Sequence, residues 1–384
     1  MRNFEFYNPV KIVFGEGSIA KLKSLVPRDK KVMLTYGGGS IKKNGVYDQV
    51  KDALSGYRII EFGGIEANPE YETLRKAAEI CRKEKVGFLL AVGGGSVLDG
   101  TKFIAAISNY AGEAWDFLDG KARPSVAIPL GSVMTLPATG SEMNANAVVS
   151  RREMKEKRPF NSPLVLPQFA ILDPETTKTL PESQRINGVI DTYVHIMEQY
   201  LTTDGGAWVS DNLSEGLLRV LVEHGKAYVE KPDDMTVAGN IMWASTMALN
   251  GIIRLGADSD WSTHAIGHIL TAFYGLDHAI TLAIVLPGVM QVMRTNKKSK
   301  LLQYAKVVWG ITDGPEEERI DKVIHKTEEF FRMLGAKTKL SEFGITEDTP
   351  TLVADKMQSI GLLPCGEHRD MDYDIVKEIL SLRK

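Results

Sequence analysis

The sequence predicts two domains, an α/β N-terminal domain built on a parallel sheet and an all-α domain after it. Three observations point there. At 384 residues the chain is longer than one ordinary domain. As far as Asp173, short β-rich apolar runs recur between helix-like patterns. Beyond Asp173-Pro174 the strand signal stops, and apolar residues repeat at helical spacing.

The expected strands are 10–14, 31–36, 58–62, 86–92, 125–129 and 169–172, with helices between them such as Tyr71–Glu84 and 97–107. Strands alternating with helices build right-handed βαβ units and hence a parallel sheet. The expected later helices are 184–201, 210–230, 237–250, 262–273, 299–309 and 315–334. The last opens on Gly314-Pro315-Glu316-Glu317-Glu318, with proline at the first helical position and carboxylates near the positive end of the dipole. The domains are placed at 1–179 and 180–384.

Composition removes several function classes. Hydrophobic residues are 43% and charged residues 25%, so the chain can bury a core and is neither disordered nor a coiled coil. Forty-six Lys+Arg against 49 Asp+Glu give a net charge of −3, which offers no basic footprint for nucleic acid or an anionic membrane. No run of 18 apolar residues marks a membrane span. The first residues lack a signal peptide's apolar stretch, and Cys81 and Cys365 are too few for a disulfide framework, so a cytoplasmic protein is expected.

Two glycine clusters sit at expected strand ends. Gly37-Gly38-Gly39-Ser40 follows Tyr36, and Gly93-Gly94-Gly95-Ser96 follows Val92. Glycine lets the backbone approach a ligand, and the amides opening the next helix favour anions. Two such turns in one sheet suit two parts of one dinucleotide. Neither is a standard fingerprint: Leu98 stands where a Rossmann glycine belongs, and Thr101-Lys102 reverse the P-loop order. Each alone reads equally as a tight βα connection. A third loop, Thr135-Leu136-Pro137-Ala138-Thr139-Gly140-Ser141-Glu142, offers hydroxyls to a phosphate or, equally, a capped entry into a helix.

Of seven histidines, four fall in the second half at suggestive spacings. Asp191 and His195 lie four residues apart and share a helix face, His264 and His268 repeat that spacing, and His278 opens an apolar run. One Asp and three His suit zinc or ferrous iron and leave room for a substrate oxygen. Singly, each histidine reads as a core or helix-end residue. His224, His325 and His368 lie in polar surroundings and read as surface residues.

These residues together resemble the iron-containing, or group III, alcohol dehydrogenases over essentially the whole chain. Gly93-Gly94-Gly95-Ser96-Val97-Leu98-Asp99-Gly100-Thr101-Lys102 looks like the family's GGGSxxDxxK signature, and the likeness extends to Pro137-Ala138-Thr139-Gly140-Ser141-Glu142, Gly188-Val189-Ile190-Asp191-Thr192-Tyr193-Val194-His195 and the His264, His268, His278 segment. Within the family, Tyr36-Gly37-Gly38-Gly39-Ser40-Ile41-Lys42-Lys43 resembles the NADPH-dependent butanol dehydrogenase and aldehyde reductase branch.

The resemblance implies a dinucleotide-binding N-terminal domain and a metal-binding C-terminal one. It makes Asp191, His195, His264 and His278 the ligands of one divalent metal, Fe2+ or Zn2+, and places His268 near the nicotinamide and substrate. Gly94, Gly95, Ser96 and Asp99 are expected on the pyrophosphate and its neighbouring ribose, Thr135, Leu136, Thr139 and Ser141 on the second cofactor loop, and Asn68 near the adenosine half. Where NAD-using relatives carry an acidic residue, this chain has Gly37. Gly37, Gly38, Gly39, Ser40 and Lys43 are therefore expected to accept the 2′-phosphate of NADP(H), the alternative being that Lys42 and Lys43 are ordinary solvated residues.

The implied chemistry is hydride transfer between NADPH and an aldehyde polarised by the metal, with His268, of ordinary pKa about 6.5, passing the proton. A homodimer is also implied. Two alternatives stand beside this. A dehydroquinate-synthase-like lyase would need a basic array absent around 264–278, and a non-catalytic nucleotide-binding protein would not need the intact Asp/His set.

Overall fold

The computed structural model describes residues 1–203, 205–345 and 348–384, and they form two compact units. One holds residues 7–181 with 232–246, and the other holds 1–6, 182–231 and 247–384.

The first unit is α/β. Its strands are β1 (Lys11–Phe14), β2 (Val32–Thr35), β3 (Ile59–Phe62), β4 (Phe88–Gly93), β5 (Leu130–Met134), β6 (Asn146–Arg151), β7 (Glu156–Asn161) and β8 (Phe169–Leu172). Its helices include α1 (Leu22–Leu25), α2 (Val46–Ala53), α3 (Tyr71–Glu84) and α4 (Gly95–Ile107). Six strands make one parallel sheet in the order β1-β8-β5-β4-β2-β3, and β6 and β7 form a separate antiparallel hairpin. Every residue of β2, β4, β5 and β8 is buried, as expected of central parallel strands covered on both faces. One core packs α3 and α4 on the sheet, with Leu74, Leu98, Phe103 and Leu89 at its centre; the other packs α1 and α2 around Leu22, Val50, Phe88 and Val133.

One expected strand is displaced. The run 125–129 is irregular, and Leu130–Met134 takes the place between β4 and β8. Pro129 has no N–H for a central ladder and serves only as acceptor, from Leu89 N at 3.0 Å. Gly131 reads as a strand breaker, yet a side chain there would collide with the Phe169 ring on β8.

The second unit is helical: α5 (Glu182–Tyr200), α6 (Trp208–Glu230), the end of α7 (Met235–Leu249), α8 (Ser262–Tyr274), α9 (His278–Val292), α10 (Lys298–Trp309), α11 (Glu316–Met333), α12 (Thr349–Ser359) and α13 (Tyr373–Ser381). Helix α5 is buried at every position from Gly188 to Tyr200, including Asp191, His195, Glu198 and Gln199. Buried polar groups persist only when partnered. Among the described residues, no helix is long and apolar enough to cross a membrane.

Candidate metal centre and glycine turns

Asp191, His195 and Glu198 leave α5 at positions i, i+4 and i+7, one face of one helix. His264 lies in the first turn of α8, and His278 is the first residue of α9. Asn187 on α5 donates to Asp277 Oδ2 at 2.9 Å and so ties the turn before His278 to the same helix.

The side chains converge. Asp191 Oδ1 lies 3.7 Å from His195 Nε2, 4.0 Å from His264 Nε2 and 3.8 Å from His278 Nε2. The ligand atoms of Asp191, His195 and His264 all fall within 4.8 Å of one another. His278 joins through Asp191 and is the most open of the four, 23% exposed. The His195 and His264 rings stack with centres 4.8 Å apart. Donors at 2.0–2.2 Å from a tetrahedral ion stand about 3.4 Å apart, close to these spacings. Asp191 Oδ1 is buried without a hydrogen-bond partner, and a divalent ion among these four groups would satisfy it. His268, one turn further along α8, stays outside this set, its ring centre 6.2 Å from that of His264 and 5.0 Å from that of His278.

The sequence does not flag Glu198. Its Oε2 lies 2.6 Å from His264 Nδ1, and its Oε1 accepts from Thr263 N at 2.6 Å. Burial, reinforced by the Asp260 carboxylate, pushes Glu198 up to about 8. An Nδ1–H shared with Glu198 leaves the Nε2 lone pair facing Asp191, the arrangement that fixes a ligating imidazole. Its signal was the seven-residue separation from Asp191, two turns along the same face.

In the α/β unit, β2 and β4 are neighbours from which the chain proceeds in opposite directions, β2 to β3 and β4 to β5 and then β8. Open parallel sheets bind ligands at such a switch point, at the carboxyl ends of the strands. Both glycine clusters lie there. A side chain on Gly95 would collide with Thr139, and one on Gly94 would press on Leu136 Cβ at 3.1 Å, so the 135–141 loop lies directly over the second turn. Thr135 N donates to Gly93 O at 3.0 Å. Ser96 Oγ donates to the carbonyl of Ala67, beside half-buried Asn68.

Asp99 and Ser141 engage each other: Ser141 Oγ donates to Asp99 Oδ1 at 2.6 Å, and Asp99 Oδ2 accepts from Val148 N at 2.9 Å. Lys102, fully buried, donates to the carbonyls of Ser141, Asn144 and Asn146 at 2.6, 2.9 and 2.7 Å. At the first turn, Gly37, Gly38, Gly39 and Ser40 are half-buried to exposed. Lys42 lies over the Tyr36 and Tyr47 rings at 4.8 and 4.9 Å and 3.7 Å from Glu61, whereas Lys43 is simply exposed.

The chain thus combines a parallel-sheet unit that carries glycine turns at its switch point and a helical unit that carries a buried His/carboxylate cluster. Residues 9–174 match the family described as iron-containing alcohol dehydrogenase, and residues 185–382 match the C-terminal part of the Fe-containing alcohol dehydrogenase family. The chain belongs to the iron-containing alcohol dehydrogenases.

It is 50% identical over 382 residues to the NADPH-dependent aldehyde reductase YqhD of Escherichia coli (strain K12), covering 99% of both chains. The crystal structure of E. coli K-12 YqhD aligns with a TM-score of 0.98 at 49% identity, over 100% of this chain and 99% of that one. The crystal structure of NADH-dependent butanol dehydrogenase A from Thermotoga maritima aligns with a TM-score of 0.96 at 36% identity, again over 100% and 99%. The family resemblance and the fold class expected from the sequence both hold, and the lyase and non-catalytic alternatives are not favoured.

Proposed function

We propose that the chain is an NADP(H)-dependent alcohol dehydrogenase acting mainly as an aldehyde reductase, with one divalent ion, Fe2+ or Zn2+, held by Asp191, His195, His264 and His278. The convergence of three imidazole Nε2 atoms on Asp191 Oδ1 carries this reading. When bound, the ion supplies Lewis-acid polarisation of a carbonyl oxygen, and the reduced nicotinamide supplies the hydride. Asp191 contributes one negative charge and the neutral histidines none, so the set binds a divalent ion without cancelling its charge. Glu198 holds His264 in orientation. Trp261, its ring 5.3 Å from that of His264 and 6.3 Å from that of His195, lays an apolar wall beside the centre. His268, on the side of His278, is assigned to the substrate hydroxyl.

The pyrophosphate and its ribose are assigned to Gly94, Gly95, Ser96 and Asp99, with Thr135, Leu136, Thr139 and Ser141 forming the facing loop and Asn68 near the adenosine. Gly37, Gly38, Gly39, Ser40 and Lys43 take the 2′-phosphate. This choice of NADP(H) is supported by the missing carboxylate at Gly37 and by the NADPH dependence of the E. coli relative. A homodimer is inferred from the family resemblance, a cytoplasmic location from the composition, and domains at 1–179 and 180–384 from the change from strand to helix pattern.

The test adds a panel of short aldehydes to purified protein and follows the near-ultraviolet absorbance of NADPH. Absorbance should fall, more slowly with NADH, stop on treatment with a strong chelator, and resume after one equivalent of Fe2+ or Zn2+. Protein that binds NADPH yet never oxidises it with any aldehyde, metal supplied, would refute the reading.

A further inference from the structure

Lys297 precedes α10 and is 2% exposed, an unusual place for an ammonium. It donates to Leu201 O at 2.8 Å, to Asp260 Oδ2 at 2.8 Å and to Glu367 Oε1 at 3.1 Å. Leu201 follows the last residue of α5, the helix of Asp191 and His195. Asp260 sits two residues before α8, the helix of His264: its Oδ1 accepts from Ser262 N at 2.9 Å, and its own N–H donates to Glu198 O at 2.8 Å.

Between Asp260 and α8 stands Trp261 with φ 64°, a left-handed conformation that a bulky side chain adopts only when its surroundings impose it. The surroundings are two buried carboxylates that take the first amides of α8, Asp260 at Ser262 N and Glu198 at Thr263 N. Lys297 stands between the buried Asp260 and Glu367 carboxyl groups and pairs with both.

We propose that Lys297 is a positioning residue of the metal centre: by joining the end of α5 to the start of α8 through Asp260, it sets the spacing between His264 and Asp191. The inference rests on the proposed metal site, which Lys297 itself does not touch. Burial alone would lower the Lys297 pKa, but Asp260 and Glu367 leave it raised, so the charge persists at neutral pH. Lys300 provides an internal control, since it is equally buried in the same unit and lies over the Tyr200 ring at the end of α5, but pairs with Asp211 of α6 rather than with Asp260 ahead of α8.

The experiment measures Co2+ affinity by chelator competition, and the Co2+ visible spectrum, on the full chain and on Lys297→Met, Asp260→Asn and Lys300→Met. Lys297→Met and Asp260→Asn should weaken Co2+ binding about 10- to 100-fold and change the band shape, as loss of outer-shell support does. Lys300→Met should lower the melting temperature comparably yet keep Co2+ affinity within about twofold, well short of that outer-shell effect. The double variant Lys297→Met/Asp260→Asn should bind no more weakly than the worse single one, because both act through one contact. Should Lys297→Met fail to fold, Asp260→Asn carries the test alone, since it keeps an acceptor for Ser262 and loses only the anion. Equal weakening in all three single variants, or unchanged affinity in Asp260→Asn and Lys297→Met, overturns the inference while leaving the metal site standing. Wild-type protein that binds no Co2+ overturns the metal reading and this inference together.

Discussion

Glu198 Oε2 and His264 Nδ1 stand 2.6 Å apart, so the helix that presents Asp191 and His195 also orients the imidazole presented by α8. Glu198→Gln keeps the shape and replaces a carboxyl oxygen with an amide. Metal affinity should drop about 10- to 100-fold with the far-ultraviolet circular dichroism unchanged, as read from metal retained after dialysis against graded chelator.

His264 and His268 should part company on mutation. His264→Ala is expected to lose both metal and turnover. His268→Ala should keep one equivalent of metal by elemental analysis while kcat falls about 10-fold or more, because its ring lies outside the Asp191 set.

Cofactor choice should turn on Gly37. Gly37→Asp places a carboxylate where the 2′-phosphate is expected, and its Cβ meets Ile65 O at 3.3 Å. KM for NADPH should rise about 10- to 100-fold by like-charge repulsion while KM for NADH moves by no more than about threefold. Lys43→Ala should cost only about 1 kcal/mol of NADPH binding, since the lysine is exposed. Lys42→Ala should cost less, its ammonium being engaged by Tyr36, Tyr47 and Glu61. Steady-state kinetics with both cofactors checks all three.

Acid sensitivity should arise partly at the C-terminus. Burial alone would raise the Glu328 pKa, but Arg383 at 2.7 Å and the Thr338 hydroxyl at 2.6 Å hold it below the usual carboxylate range. The unfolded chain therefore takes up this proton at a higher pH than the folded one. The stabilisation is complete above the ordinary Glu range and disappears as pH falls through the folded pKa. Urea melts of wild type and Glu328→Gln should differ at pH 7 and converge on acidification.

The central strands were legible because β4 and β8 are unbroken apolar runs and β2 is broken only by its last residue, Thr35, and the later helices because their periodicity survives burial. Strand β5 was not, since Gly131 reads as a break until the Phe169 ring is seen against it. The β6–β7 hairpin mixes charged residues and Pro159 into its strands, a pattern its isolated pairing tolerates. The cluster of Asp191 with His195, His264, His268 and His278 was visible from spacing and from the scarcity of histidine, whereas setting His268 apart from the expected ligands came from the family resemblance. Glu198 was hidden because a glutamate on a helix ordinarily faces water. Lys297 was hidden in Lys297-Lys298-Ser299-Lys300, which looks like a solvated charge run although Lys297 and Lys300 are both interior.

Lys102 spends its ammonium on the protein's own carbonyls rather than on a ligand. The segment from Ser141 to Asn146 is thus templated in advance, and the nucleotide proposed for this turn would face little ordering entropy there. Association at this turn should behave as docking onto a rigid mould, so that changes near Lys102 shorten the residence time of the complex more than they slow its formation.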